Sequence, residues 1–392
     1  MRCYFKIALR FFVALATGAT FAQVVPPQPQ GSAQNHASTS PVALVYVSSS
    51  PNGKKAEINA FVANAAGRLT LVTGSPFPGN VGNIALNSRY LFGTDGVYIY
   101  SFSIASNGAL KQVSSINAQH YNQSNYGGPT VLFLDRTGKT LYDEDYAVAN
   151  DNNGYQFFRI NQSSGKLNYL GVTHDQSSWF KGPLSFLTNN NYAYQAMCIA
   201  DMYWTIYGFE RDSSGALGTL NANMSPPRPK KDDFYCPYLV TTDQTNHAAM
   251  SVQAVNGNTF MLDGLPQLAA YRTDSSGDLL TKSAYWNMPT TANQYVYDIA
   301  MSPSGVLLAV GGTSGLQVFH FNGSEPVTHY TGLLTMGEID QVAWDNDNHL
   351  YAISYPLGKL FVFTITPTSH RQASGSPYAI TEPLGIAVLP KR

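Results

Sequence analysis

Apolar and polar residues alternate with a period of two along most of this chain, and the alternating runs come in pairs separated by short turns. A strand sends successive side chains to opposite faces of a sheet, so this period predicts strands, and a tight turn between two of them predicts a hairpin. The plainest pair recurs as EINAFVANAAGRLTLV, VYIYSFSIASNGALKQV, YQFFRINQSSGKLNYL, TIYGFERDSSGALGTL and QLAAYRTDSSGDLLTK. Two further pairs, LQVFHFNGSEPVTHY and LFVFTITPTSHRQAS, keep the strands but move or lose the turn glycine. Asn, Asp, Ser and Gly at the turns supply the backbone conformations that hairpins need. A second type of pair recurs as IALNSRYLFGT, TVLFLDRTGKTLYDE, LSFLTNNNYAYQAM, YLVTTDQTNHAAMSV, IAMSPSGVLLAVG and VAWDNDNHLYAIS.

One pair of each type makes a four-stranded unit, and a seventh unit is split between the ends of the chain. VALVYVSS (42–49) has no first strand before it, and LGIAVLP (384–390) has no second strand after it. If the units stand in a ring, the last strand supplies the innermost strand of the blade begun at the N-terminal end. GSPFPGN (74–80) and GSPYAIT (375–381) then become equivalent connectors on neighbouring blades, each leading from an outermost strand to the next innermost one. The pattern predicts an all-β, seven-bladed β-propeller with four-stranded blades over residues 42–390, its closing blade shared between N- and C-terminal strands. A series of β-sandwiches leaves the split unit unexplained.

Composition narrows the setting. With 392 residues, 44% hydrophobic and 12% aromatic, the chain is long enough for a large core. Lys plus Arg (23) nearly equals Asp plus Glu (24), so no strong field favours nucleic acid or an acidic membrane surface. Charged residues are only 12%, and Asn, Gln, Ser, Thr, Gly and Tyr provide the polar surface, which suits an exported protein. Residues 1–22 place Arg2, Lys6 and Arg10 before the apolar run FFVALATGATFA and then small residues suited to cleavage after Ala22. They read as a signal peptide; the alternative is an amphipathic or anchoring helix, for which the run is short of the ~20 residues that span a bilayer. Residues 23–41, rich in Pro, Gln, Ser and Ala, read as a flexible tether. A periplasmic or extracellular monomer without cofactor is expected, with no membrane span after cleavage.

The phrases ALVYVSS, EINAFVANAAGRLTLVTGSPFP and PLGIAVLP resemble the lactonase-like seven-bladed propellers, the group of 6-phosphogluconolactonase, carboxymuconate-cyclizing enzymes and exported YVTN-type repeat proteins. The likeness covers residues 42–390. It implies a histidine at the start of an innermost strand, with an acidic residue and arginines near the mouth of the central channel. Such groups would move a proton and hold a carboxylate or phosphate. In the matching stretch, GPLSFLTNNNYAYQAMC, Leu184 replaces the arginine, Ser185 the histidine and Cys198 the glutamate. LLAVGGTSG offers Gly311 and Gly312 where a later arginine belongs. The implied set is absent at these positions.

Other candidates lie in the long segments that ring topology sends to one face. His120, His174 and Asp201 would form an acid–base group, or are loop residues with no chemical task. Asp143, Glu144, Asp145 and Asp151 bring hard oxygens into one segment, as calcium requires, without the strict spacing of a calcium loop. Tyr121, Tyr126, Trp179, Tyr203, Trp204, Tyr285 and Trp286, mixed with Asn and Gln, suit stacking on sugars or gripping a peptide; the alternative is packing between blades. RPKKDD reads as a solvated charge patch. With Cys3 in the signal peptide, Cys198 and Cys236 remain, either as buried thiols or as a disulfide. Their separation excludes a CxxC motif. The topology puts both on one face of neighbouring blades, where a disulfide is expected. Two functions follow: a non-catalytic recognition propeller for a protein, glycan or envelope partner, or a lactonase-like hydrolase or isomerase with a rearranged site.

Overall fold

The computed structural model describes residues 40–53, 55–118, 131–145, 154–174, 184–199, 203–220 and 224–391. Residues 1–22, expected to be a signal peptide, lie outside them, as does all of the expected tether but its end. Each alternating pair is an antiparallel hairpin. Blade 1 contains β1 (Pro41–Ser49), β2 (Glu57–Asn64) and β3 (Leu69–Leu71), with a short β4 (Phe77–Pro78) beside β2. Pro41, the last residue read as tether, is thus already in a strand. Blade 2 contains β5 (Asn83–Leu86), β6 (Tyr90–Thr94), β7 (Tyr98–Ile104) and β8 (Leu110–Asn117). Blade 3 contains β9 (Leu132–Leu134), β10 (Thr140–Asp145), β11 (Gly154–Ile160) and β12 (Leu167–His174). Blade 4 contains β13 (Ser185–Phe186), β14 (Tyr192–Ile199), β15 (Tyr203–Arg211) and β16 (Leu217–Thr219).

Blade 5 contains β17 (Asp233–Thr242), β18 (His247–Asn256), β19 (Leu262–Thr273) and β20 (Leu279–Leu280). Blade 6 contains β21 (Val296–Met301), β22 (Leu307–Gly312), β23 (Leu316–Asn322) and β24 (Glu325–His329). Blade 7 contains β25 (Gln341–Trp344), β26 (His349–Ser354), β27 (Lys359–Thr366) and β28 (Ser369–Gln372), with a short β29 (Tyr378–Ala379) beside β27. The last strand, β30 (Pro383–Pro390), pairs with β1 from Ala43↔Pro390 to Ser49↔Pro383, so blade 1 is closed by both ends of the propeller. The seven-bladed propeller is thereby borne out.

The two GSP connectors are equivalent in detail. Each has a cis Ser–Pro bond, Ser75–Pro76 and Ser376–Pro377. Ser75 Oγ accepts from Ala60 N (2.9 Å), and Ser376 Oγ accepts from Val362 N (2.8 Å), which ties each connector to the third strand of its own blade. Tyr378 adds what Phe77 lacks, a hydroxyl that accepts from Leu69 N of blade 1 at 2.8 Å.

The core lies between blades, because a blade's two faces pack against two neighbours. In β1, Ala43, Val45 and Val47 pack with Tyr351, Ile353 and Val362 of blade 7, while Leu44 and Tyr46 pack with Leu91 and Phe102 of blade 2. Each fully buried aliphatic side chain contributes about 1.5–3 kcal/mol. Hydrogen bonds clasp successive blades together. Tyr46, Tyr142 and Tyr194 on second strands donate to the carbonyls of Gly108, Gly215 and Gly277 at 3.0, 2.7 and 2.7 Å. Those glycines belong to the hairpin turns of the next blade and have φ of +91°, +102° and +84°, a region open to glycine at little cost. This accounts for the turn glycine of blades 2, 4 and 5. The turns of blades 6 and 7, where it has moved to Gly323 or is gone, follow second strands without tyrosine, HAAMSVQAVN and LLAVGG.

Candidate functional site

Innermost strands line a central channel, beginning on one face of the ring and ending on the other. At their ends lies a cavity of about 270 Å³ lined by Leu134, Arg136, Ser185, Thr242, Ile299 and their neighbours. Arg136, in the turn after β9, crosses from blade 3 to blades 4 and 5. Its Nε donates to Phe186 O (2.8 Å) and its Nη2 to Asp243 O (3.1 Å). Ser185 Oγ lies 3.0 Å from Thr242 Oγ1. No carboxylate or imidazole lines this cavity among the described residues.

The geometry corrects the register on which the family's site was sought. Ser185 pairs with Tyr194, close to the turn that ends the hairpin of β13 and β14, and not at the opposite face. Cys198 stands four residues further along β14, about 13 Å away along the strand, so Ser185 and Cys198 cannot converge on one substrate. Leu184 is buried with Tyr142, Phe157 and Phe186. At the end of β22, a Cβ on Gly312 would lie 2.2 Å from Tyr295 O, and one on Gly311 would lie 2.8 Å from Ile339 Cγ2. Gly312 makes room for the connector that carries buried Asn293, whose Oδ1 accepts from Ser314 N (2.8 Å) and Gly315 N (3.1 Å), and Gly311 makes room for Ile339 of the connector into β25. An arginine does not fit there.

On the face where the innermost strands begin, Cys198 and Cys236 form a disulfide between blades 4 and 5, with Cα atoms 5.0 Å apart, packed against Val255. Beside it the β18–β19 hairpin carries an apolar tip, with Phe260 48% and Met261 69% exposed. The ring of Phe260 lies 6.2 Å from that of Phe234. The connector from β20 to β21 runs along β19, fixed by Gln267 Nε2 donating to Met288 O at 3.0 Å. It holds Tyr285 and Trp286 with ring centroids 4.8 Å apart, and Trp286 is 59% exposed. The guanidinium of Arg228 lies 5.3 Å from the Trp286 ring, within cation–π range. Arg228, expected in a solvated patch, is instead engaged by a residue far along the chain, a contact that leaves no trace in local sequence. The apolar run FML after a glycine turn was the available signal for the hairpin tip.

The remaining candidates are not brought together by anything described. His120, Tyr121, Tyr126, Asp151, Trp179 and Asp201 lie outside the described residues, and so do the side chains of Asp145, His174, Tyr203 and Trp204. Asp143, Glu144 and Asp145, expected in a loop, are instead the last residues of β10, paired with Gln156, Tyr155 and Gly154. Alternation in a strand sends Asp143 and Glu144 to opposite faces. No group of three metal-ligating side chains occurs among the described residues.

No family model and no curated protein matches the sequence. Solved structures do match its fold. A 6-phosphogluconolactonase candidate from Bacteroides fragilis superposes with a TM-score of 0.65 at 12% identity, covering 92% of this chain and all of its own. A periplasmic gluconolactonase from Pseudomonas aeruginosa superposes at 0.63 and 13% identity, covering 89% of this chain and 99% of its own. A hypothetical selenium-binding protein from Sulfolobus tokodaii gives 0.57 at 12% identity, with 90% and 93% covered. At such identities the likeness speaks for architecture alone: the chain has the fold of the lactonase-like seven-bladed β-propellers.

Proposed function

We propose that the protein is an exported, non-catalytic recognition propeller that binds a protein, glycan or envelope component through the face where its innermost strands begin. The observation that carries this reading is the exposed apolar and aromatic surface of blade 5, with Met261, Phe260, Tyr285 and Trp286 held on a hairpin and connector beside a disulfide. Exposed patches of this kind mark interaction sites, and a fixed aromatic ring stacks on a ligand with little loss of side-chain freedom. The second reading is a lactone hydrolase or isomerase, supported by the activity in the name of the Pseudomonas aeruginosa protein. Gly312, where an arginine has no room, weighs against it.

An array of soluble oligosaccharides, envelope polymers and peptides, probed with the mature protein, tests the proposal. Binding that falls about tenfold or more in Trp286→Ala, with melting unchanged, is the expected result. Hydrolysis of gluconolactone above the spontaneous rate that survives Trp286→Ala would turn the reading to the enzyme.

A further inference from the structure

The opposite face carries a recess of about 320 Å³ between blades 3 and 4, walled by the turns after β9, β11 and β15. Three cations line it, Lys139, Arg159 and Arg211, together with the hydroxyl residues Thr137, Ser213 and Ser214. In a chain with 23 lysines and arginines among 392 residues and a net charge of −1, this is a local concentration of positive charge.

Arg211 forms the fixed wall. Its Nη2 meets Asp135 Oδ2 (2.8 Å) and donates to Thr140 Oγ1 (2.9 Å), its Nε donates to Tyr142 OH (3.1 Å) and its Nη1 to Asp212 O (3.1 Å). The two nearby carboxylates are already engaged. Asp135 also accepts from Thr137 Oγ1 (3.0 Å), Lys139 N (3.0 Å) and Asn190 Nδ2 (3.2 Å). Asp212 Oδ1 accepts from the hydroxyl of Ser214 (2.7 Å) and from the backbone of Ser214, Gly215 and Ala216. Lys139 and Arg159 differ: neither side chain has a carboxylate or hydrogen-bond partner among the described residues. Both line the same recess, Lys139 from the turn before β10 and Arg159 from β11, where it pairs with Thr140. An anion in the recess gains from each of these charges.

We propose that this recess binds a small phosphate or sulfate ester, its tetrahedral oxyanion held by Lys139 and Arg159 against the wall made by Arg211. A guanidinium offers paired donors that match such an oxyanion, and an ammonium adds a compact charge. The recess is larger than a bare oxyanion and near the lower size of small-molecule sites, which is why an ester is named. It lies on the other face from the aromatic surface of blade 5, and the proposal stands apart from the one made there.

Calorimetric titration of the mature protein with inorganic phosphate and with inorganic sulfate, at constant ionic strength set by chloride, tests it. Saturable binding of at least one oxyanion is expected, weakened about tenfold or more in the Lys139→Gln, Arg159→Gln double variant. Arg371→Gln, which removes an exposed charge on β28, is expected to bind as wild type. Both substitutions are at exposed side chains, and an unchanged melting temperature confirms the fold of each variant. The oxyanion that binds more tightly names the ester class. Absence of saturable binding by the wild type overturns the site, as does a double variant that binds normally or an Arg371→Gln variant that loses as much.

Discussion

Tyr46, Tyr142 and Tyr194 set single phenols against single carbonyls of the next blade, and burial pushes all three hydroxyls well above the ordinary tyrosine range, so they remain donors. Tyr194→Phe keeps the ring but strands the carbonyl of Gly277. Denaturant unfolding is expected to show a loss of about 1 kcal/mol, and an equal stability would remove the clasp's energetic role. The glycines were legible as a repeat. Their acceptor role was not, because the donor comes from another unit 83 residues away. Asp345 is a second residue-scale device. Burial pushes its carboxyl up, but hydrogen bonds from His349 and Tyr351 (both 2.8 Å) outweigh that and hold it below the ordinary carboxylate range. A carboxyl depressed in the folded state stabilises above its unfolded pKa of about 4, and that stability is lost as pH falls through the folded value. Melting temperature is therefore expected to drop on the acid side, and Asp345→Asn to flatten that drop while lowering stability at neutral pH.

Among elements, β30 carries the most topological weight, since its removal leaves β1 unpaired at the channel. A chain ending before Pro383 is expected to lose the single cooperative melting transition; an unchanged transition would defeat the ring closure. Reduction of Cys198–Cys236, which closes a separation of 38 residues, is expected to cost about 2–4 kcal/mol, and alkylation of both thiols without prior reduction would exclude the bridge. Hairpins and the split blade were legible because period and turn chemistry are local. The length of β10 was not, since Asp143, Glu144 and Asp145 look like loop residues until the strand that pairs with them is known. The extension of β19 back to Leu262 was missed for the same reason.

At the scale of the whole molecule, the chain's two faces differ in chemistry: an aromatic surface on one, a basic recess on the other. Neither was legible, because each gathers residues from distant repeats whose relative positions only the ring defines. Lys139, Arg159 and Arg211 fall in three different hairpins of two blades, and Arg228 meets Trp286 across a whole blade sequence.

The pairing of Ala43 with Pro390 has one more consequence. A ring has no beginning, and the split blade marks only where the chain happens to be cut. Joining residue 391 to residue 40 and opening the chain between β24 and β25 would give seven blades, each contiguous in sequence. Such a permutant keeps every native pair yet gives up the seam in which the two ends share a sheet, so blades 6 and 7 meet through side chains alone at the new opening. It is expected to fold to the same ring and to unfold faster, a loss of kinetic rather than architectural security.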